Sequence, residues 1–206
     1  QARLVHVNGG GTHTINIENA TFTNNSVKGC GAIFLMDQSN AGNASAINVY
    51  GGTFTDNACL LSSTSYGSGS IARLKSPGAL HFYGGTFANN TTAAGKNYEG
   101  IYLRDVSQKL GSNVYVHKLS ADLNVYLTPY SAKVFMSRIV VDSALTHTIS
   151  VYIADNRVPA KGMPLVVGTD EYKLSEADLA MVKSANPKAT FYLDTENNAI
   201  CIAKAE

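Results

Sequence analysis

The chain has 206 residues with a formal net charge of +1 at pH 7, and 15% of its residues are charged. A charge this small excludes long-range attraction to nucleic acid, and no apolar run is long enough to span a bilayer, so we expect neither a nucleic-acid partner nor membrane insertion. Tryptophan is absent, whereas 18 glycines and 11 tyrosines accompany many Asn, Thr and Ser residues. This composition is typical of an all-β protein with short strands. Because the chain opens abruptly on a strand-like sequence after Gln1, we expect it to be a piece of a longer parent chain.

An apolar strand is predicted at residues 4–7, and after it an eleven-residue stretch occurs three times. Residues 15–25 read INIENATFTNN, residues 47–57 read INVYGGTFTDN and residues 80–90 read LHFYGGTFANN, with starts 32 and then 33 residues apart. A fixed period of this length is typical of solenoids, in which one unit cannot bury its apolar face without its neighbours. We call these stretches the first, second and third repeats.

Each repeat has the same internal pattern. Apolar residues alternate with polar ones, a Gly-Gly or Asn-Ala corner follows, and a Thr-Phe-x-x-Asn segment ends the stretch. The alternation turns one face of each strand inward, and Gly and Asn tolerate the positive φ that a sharp corner needs. A third strand is predicted after each repeat, at residues 31–35, 70–74 and 100–103. The polar segments 39–45, 62–70 and 91–100 are predicted to be loops.

Three short strands joined by corners in each unit predict an all-β fold, a right-handed parallel β-helix. Neighbouring coils of such a fold lie ~4.8 Å apart, so equivalent residues stack into ladders. We predict one aromatic ladder and one amide ladder inside the coils, the amides bonding backbone groups at the corners. Their members are Phe22, Phe54 and Phe87, and Asn25, Asn57 and Asn90.

The TFxxN segment does not recur after about residue 110. We assign residues 1–110 to the coils with TFxxN repeats, and residues 111–206 to further irregular coils and a β-rich C-terminal cap. The cap is predicted to contain one short helix near 175–186, with Ser175 as N-cap and Asp178 near position N3. Atypical terminal units are expected, since an uncapped end would expose both core and sheet edge.

The repeats resemble a known family. The Phe-x-x-Asn segments that start at Phe22, Phe54 and Phe87, together with the looser sequence GCGAI at residues 29–33, are similar to the FxxN and GGA(I/L/V) repeats of the polymorphic membrane-protein adhesins. Related repeats occur in large β-helix surface proteins of gut bacteria, whose tails the C-terminal half resembles. The resemblance implies an extracellular, cell-surface, adhesin-like or surface-structural segment of a bacterial protein, with a glycan or a surface protein as partner.

Five tyrosines are the candidate binding residues. Tyr50 and Tyr83 occupy equivalent positions before the Gly-Gly corner, and Tyr66, Tyr98 and Tyr102 lie in or beside the adjoining predicted loops. Exposed aromatic side chains near Asn and Ser can stack on sugar rings or anchor a protein partner. The alternative is that stacked tyrosines only stabilise the corner. Aligned threonines beside the phenylalanines are a weaker candidate, for ice binding, because Thr is favoured on any exposed strand.

Many β-helices are polysaccharide lyases or hydrolases, so an enzyme is the competing hypothesis. Its candidate residues are Asp37, Arg73, Lys75, Arg104 and Asp105, at or just beyond the third strands. Stacked across coils, these charges would more simply form a solvated ladder of alternating sign. We therefore predict no catalytic residue and a non-enzymatic protein.

No metal or cofactor is predicted. The five histidines His6, His13, His81, His117 and His147 are scattered, and none has a His or Cys partner at a metal-ligand spacing. The cysteines are Cys30, Cys59 and Cys201, an odd number that argues against a complete disulfide framework. We expect them to be buried small hydrophobic residues, with a Cys30–Cys59 bridge between adjacent repeats as the alternative.

Overall fold

A computed structural model describes residues 4–8, 11–28, 33–37, 44–60, 69–75, 77–92, 100–105, 107, 110–131, 133–153, 160–186 and 189–203. Within these ranges the protein is nearly all β, with 21 strands and one short helix arranged around four sheets. Every strand pair is parallel except those that involve the last strand of the chain. The expectation of an all-β protein is confirmed.

The two large sheets run through the whole described chain. Sheet A has the order β1 (Val5–Asn8), β5 (Phe34–Asp37), β9 (Ala72–Leu74), β13 (Ile101–Arg104), β15 (Leu123–Thr128), β17 (Ile149–Ile153) and β19 (Val182–Ser184). Sheet B has the order β2 (Thr14–Ile17), β6 (Ala46–Val49), β10 (Ala79–Phe82), β14 (Asn113–Val116), β16 (Arg138–Val141), β18 (Pro164–Gly168), β21 (Ala199–Ala203) and β20 (Thr190–Asp194).

Two small sheets accompany only the three repeats. Sheet C has the order β11 (Thr86–Ala88), β7 (Gly52–Thr55) and β3 (Ala20–Thr23), and sheet D the order β12 (Thr91–Thr92), β8 (Ala58–Cys59) and β4 (Ser26–Val27). In each repeat unit the chain visits the sheets in the order A, B, C, D and then returns to A. The unit therefore has four strands, not the predicted three. A two-residue strand is too short to show an alternation, so residues 91 and 92 were wrongly placed in a loop.

Both predicted ladders are confirmed. Phe22 stacks on Phe54 with ring centroids 5.3 Å apart, and Phe54 stacks on Phe87 at 4.7 Å. The amide of Asn25 donates to Asn57 Oδ1 and the amide of Asn57 donates to Asn90 Oδ1, each over 2.8 Å. The strict register, with each phenylalanine paired opposite the next, places these residues one above another.

The corners depend on backbone that few residues can adopt. Gly52 has φ +117°, and a Cβ atom there would lie 2.3 Å from the Ala20 carbonyl oxygen. Asn19 and Asn24 have φ of 50° and 57°, which asparagine accepts more readily than most residues. The corner glycine is therefore required by the close approach of the previous repeat as well as by its conformation.

The cross-section of the protein changes after the third repeat. From β14 to β20 the strands alternate between sheets B and A alone, and β21 then stays in sheet B. The spacing between stacked residues falls accordingly, from 33 residues for Asn57 and Asn90 to 25 for Asn113 and Arg138. The interior remains continuous, because residues such as Leu103, Leu127 and Ile153 are fully buried on the inner face of sheet A.

The C-terminal region departs from the expected parallel coils. β20 and β21 form an antiparallel hairpin, and β21 closes sheet B by pairing antiparallel with β18. Helix α1 spans only Glu176–Met181, and Val182–Ser184 continues sheet A as β19, so the predicted extension of the helix to residue 186 is wrong. Val182 is β-branched, a residue type favoured in strands, and it begins β19 where the helix ends.

The predicted start of the helix is confirmed. Ser175 is the N-cap and forms a capping box with Asp178. The Asp178 carboxylate is 1% exposed and also accepts hydrogen bonds from the Leu145 amide and from the Tyr172 hydroxyl. Burial raises the pKa of Asp178, but these hydrogen bonds lower it by more, so the net pKa is below its ordinary value. One carboxylate thus ties the helix to the segment before β17.

Candidate functional site

The outward surface of sheet B carries a group of aromatic and ionisable side chains. Ile47, Leu80 and Val114 point into the core, so the residues that alternate with them point outward. We call this surface the aromatic face. It consists of Tyr50, His81, Tyr83, Tyr115, His117 and Asp142, which stand on or immediately after β6, β10, β14 and β16.

The rings of the aromatic face stack in two columns. In the first, Tyr83 lies between Tyr50, with centroids 4.8 Å apart, and His117, at 4.0 Å. In the second, His81 stacks on Tyr115 at 4.3 Å. The columns follow from the parallel register, which sets the three strands β6, β10 and β14 side by side. Planar side chains in register at strand spacing are positioned for such stacking.

A hydrogen-bonded chain joins the ionisable residues His81, His117 and Asp142 of the face. His117 Nδ1 lies 2.5 Å from Asp142 Oδ2, and His117 Nε2 lies 3.1 Å from His81 Nδ1. Because an ionised carboxylate only accepts, His117 Nδ1 carries the proton of the first bond. A neutral His117 then has an acceptor at Nε2, so His81 donates from Nδ1. Protonation of His81 alone preserves this arrangement, whereas protonation of both rings places two N–H groups against each other.

The pKa values of His81 and Tyr83 are shifted by burial and by neighbouring side chains. Partial burial, followed by the neighbouring His117, lowers the pKa of His81 below its ordinary value, while Asp142 opposes the effect. Desolvation, followed by Tyr50 and Asp142, raises the pKa of Tyr83. His81 and Tyr83 are therefore uncharged at neutral pH.

The two leading tyrosines are not equivalent. Tyr83 is covered on both ring faces, by Tyr50 and by His117, although 37% of the residue is exposed. Tyr50 is 47% exposed, and among the described residues only Tyr83 stacks on it. A planar ligand that needs a ring face can thus use Tyr50, while Tyr83 offers an edge and a hydroxyl.

The structure separates the other predicted tyrosines from this pair. Tyr102 lies in the predicted third strand, within β13 on sheet A. Its expected exposure is wrong, because the residue is only 3% exposed. Its ring stacks on Tyr126 at 5.2 Å, and the Arg73 guanidinium lies 6.0 Å from its centroid. Tyr66 and Tyr98 lie outside the described residues.

The charged residues considered for catalysis do not converge on one groove. Lys75 and Asp37 form a half-exposed ion pair at 3.3 Å. Asp105 is buried and accepts hydrogen bonds from the amides of Tyr130, Met136 and Ser137, so it organises the chain before β16. Arg73 is buried at 5% exposure. Arg104 continues sheet A opposite Thr128.

Sequence reasoning missed His81, His117 and Asp142 as a group. They are 36 and 25 residues apart, and neither spacing equals the 32- or 33-residue period of the repeats. Had the register of β14 and β16 been known, the spacing would have indicated the cluster. The threonines considered for ice binding do align, since Thr21, Thr53 and Thr86 are paired in sheet C.

The remaining expectations concern the cysteines, metal sites and membrane-spanning segments. Cys59 and Cys201 are buried in strands, as expected, whereas Cys30 and therefore the alternative Cys30–Cys59 bridge lie outside the described residues. No group of three or more His, Cys, Asp or Glu residues in the described ranges could hold a metal ion. None of the helical segments in those ranges is long and apolar enough to cross a membrane.

Comparison with protein-family models, with curated proteins and with solved structures gave no match.

Proposed function

We propose that the chain is an extracellular, adhesin-like segment that binds a glycan on a host or microbial surface through the aromatic face. The observation that carries the proposal is the column formed by the exposed Tyr50 and Tyr83 and the partly buried His117, which crosses three adjacent strands of sheet B. The interior does not need these rings, since the core is filled by the aliphatic residues that alternate with them. Exposed tyrosines of this kind are enriched where proteins bind partners.

The scaffold of this proposal is a right-handed parallel β-helix. Supporting it are the cyclic order in which the chain visits the four sheets and the strict register of the repeats. Such a solenoid presents long flat faces and protruding loops to a partner. The resemblance of the Phe-x-x-Asn segments to adhesin repeats supports a bacterial surface location.

The chemistry of the face suits a sugar. A pyranose has an apolar C–H surface that stacks on an aromatic ring, and the open face of Tyr50 supplies one. The same surface of sheet B carries hydroxyl, imidazole and carboxylate groups, and Asn48, whose amide donates to Asn16 Oδ1 over 2.9 Å. These groups can donate to and accept from sugar hydroxyls. Since His81 and Tyr83 are uncharged at neutral pH, we expect a neutral glycan to bind better than a polyanionic one.

The test is a glycan array followed by calorimetry on the purified chain. Tyr50→Ala should weaken binding of the selected glycan by about 10-fold or more. Tyr130→Ala is the matched control, because Tyr130 is equally exposed, at 44%, but lies outside the aromatic face. Equal binding by the two variants would exclude the aromatic face as the site. Binding of a surface protein but of no glycan would replace the proposed ligand class.

The competing hypothesis is a polysaccharide lyase or hydrolase of the β-helix class. It requires charged residues that converge on a bound polymer, and the described candidates are instead paired, buried or dispersed. Assays for reducing sugar and for unsaturated products on the array-selected glycan decide between the two. Turnover abolished by Asp37→Ala or Arg104→Ala would favour the enzyme.

A further inference from the structure

A cavity of about 220 Å³ lies where the third repeat meets the start of β15. The third repeat contributes Phe87, Asn89 and Asn90 to its lining, and the later segment contributes Asp122, Leu123 and Asn124. The lining shares no residue with the aromatic face. The cavity is therefore a candidate site in its own right.

Close packing of the two segments fixes the walls of the cavity. Gly100, just before β13, has φ +131°, and a Cβ atom there would lie 2.1 Å from the Asn124 carbonyl oxygen. The backbone at Asn124 thus lies directly against the start of β13. On the opposite wall Asn90 is 8% exposed, and its side chain is held by hydrogen bonds with Asn57 and with the Phe54 carbonyl. The scaffold positions both walls, so the cavity is preformed, as small-molecule sites usually are.

The apolar part of the cavity is the end of the phenylalanine ladder. Sheet C ends at β11, so Phe87 is the last ring of the ladder. Phe54 stacks on one face of this ring with centroids 4.7 Å apart, and Phe82 packs edge-on against it at 5.1 Å. Among the described residues no aromatic ring stacks on its other face. Phe87, together with the buried Leu123, gives the cavity an apolar surface.

Three side chains of the lining have unused hydrogen-bonding capacity. One carboxylate oxygen of Asp122 accepts from the Thr148 amide over 2.8 Å, and nothing in the described ranges donates to the other. Asn89 donates to Asp56 over 3.2 Å, which leaves its amide oxygen as an acceptor. The side-chain amide of Asn124 has no hydrogen-bond partner within the described part of the chain. The cavity thus offers acceptors and a donor beside its apolar surface.

The size and the lining together indicate the class of ligand. Typical small-molecule sites measure ~300–1,000 Å³, and one water molecule occupies about 30 Å³ of the liquid. The cavity is therefore too small for a drug-sized molecule and larger than a single water needs. A pyranose matches the lining, because it has an apolar C–H face and hydroxyls that both donate and accept. The Asp122 carboxylate disfavours an acidic sugar through repulsion of like charges.

We propose that this cavity binds a single neutral hexopyranose unit. The C–H face of the sugar lies against Phe87. Its hydroxyls donate to Asp122 and Asn89 and accept from Asn124. The site goes beyond the proposed function, because it takes one sugar unit and shares no residue with the aromatic face. The alternative occupant is ordered water alone.

The experiment uses the full chain and four free sugars, namely glucose, galactose, mannose and N-acetylglucosamine. NMR titration should give saturable 1:1 binding of at least one sugar, with shifts of the backbone amide signals of Phe87, Asn89 and Asn124. Absence of saturable binding by all four would leave water as the occupant and would overturn the proposal. Shifts confined to Tyr50 and Tyr83 would also overturn it, since the sugar would then lie on the aromatic face.

A variant of the chain provides a second test. Asn124→Leu removes the amide at nearly constant size and should weaken binding of the selected sugar about 5- to 10-fold, as expected for one or two lost hydrogen bonds. Ser150→Ala is the matched control and should bind as the parent chain does, since Ser150 lies next to Asn124 in register on β17 but does not line the cavity. Both variants must keep the far-UV circular dichroism of the parent chain. Unchanged sugar affinity in Asn124→Leu would refute the assignment. Because the glycan-array test depends on Tyr50 and this one on Asn124, either proposal can fail without the other.

Discussion

Asn57 is the central member of the asparagine ladder, and its removal tests how much the ladder stabilises the fold. The residue is fully buried. Its side chain makes four hydrogen bonds, two as donor to the Phe22 carbonyl and Asn90 Oδ1 and two as acceptor from the backbone and side chain of Asn25. At about 1 kcal/mol net for each bond, Asn57→Ala should lower the free energy of unfolding by about 4 kcal/mol.

The matched control is Asn25→Ala at the end of the same ladder. The Asn25 side chain is half-exposed and donates one hydrogen bond to Asn57, so the cost should be about 1 kcal/mol. Asn57→Asp should also destabilise, since a carboxylate keeps the two acceptor roles but loses both donations.

Urea unfolding followed by circular dichroism measures these differences. With an m-value of about 2 kcal/mol/M, Asn57→Ala should shift the midpoint by about 2 M at unchanged m. A difference of less than about 1 kcal/mol between Asn57→Ala and Asn25→Ala would refute the view that the ladder acts as a buried network. The stabilisation would then come from the phenylalanines and the sheets alone.

Three further predictions concern pH, the C-terminal carboxylate and a corner. The folded pKa of His81 is lowered, so the unfolded chain binds more protons than the folded chain below about pH 6.5, and stability falls as pH drops from that value towards the folded pKa. His81→Asn should flatten this part of a plot of unfolding free energy against pH. An unchanged slope would contradict a lowered pKa for His81. Asp178→Asn should cost about 2–4 kcal/mol, since the carboxylate accepts four hydrogen bonds while buried. Because its folded pKa is lowered, its contribution is lost as pH falls below about 4, so the variant should lose less stability in acid than the parent chain. Gly52→Ala should lower the free energy of unfolding by about 3 kcal/mol or more, because its Cβ would lie 2.3 Å from a backbone oxygen. Gly51→Ala is the control and should lower it far less, because the nearest atom to its Cβ would be a side-chain oxygen at 3.1 Å. Similar urea midpoints for the two variants would argue against this corner geometry.

The sequence alone determined the part of the fold that is periodic. Repetition at 32 and 33 residues brings equivalent side chains into register, so both ladders and the parallel pairing could be predicted from Phe54 and Asn57 and their counterparts. The capping box at Ser175 was predictable too, because it depends on residues three positions apart. Such local and repetitive signals need no knowledge of distant contacts.

The tertiary structure decided whatever depends on register between unlike segments. Nothing in the sequence shows that sheets C and D end at the third repeat or that the spacing then becomes irregular. His81 and His117 are 36 residues apart and His117 and Asp142 are 25 apart, so only the tertiary structure shows that they lie together. Burial of Tyr102 and the antiparallel closure by β21 are likewise non-local. Periodicity fixes which residues face inward, but the surroundings of an outward side chain depend on what the rest of the chain packs beside it.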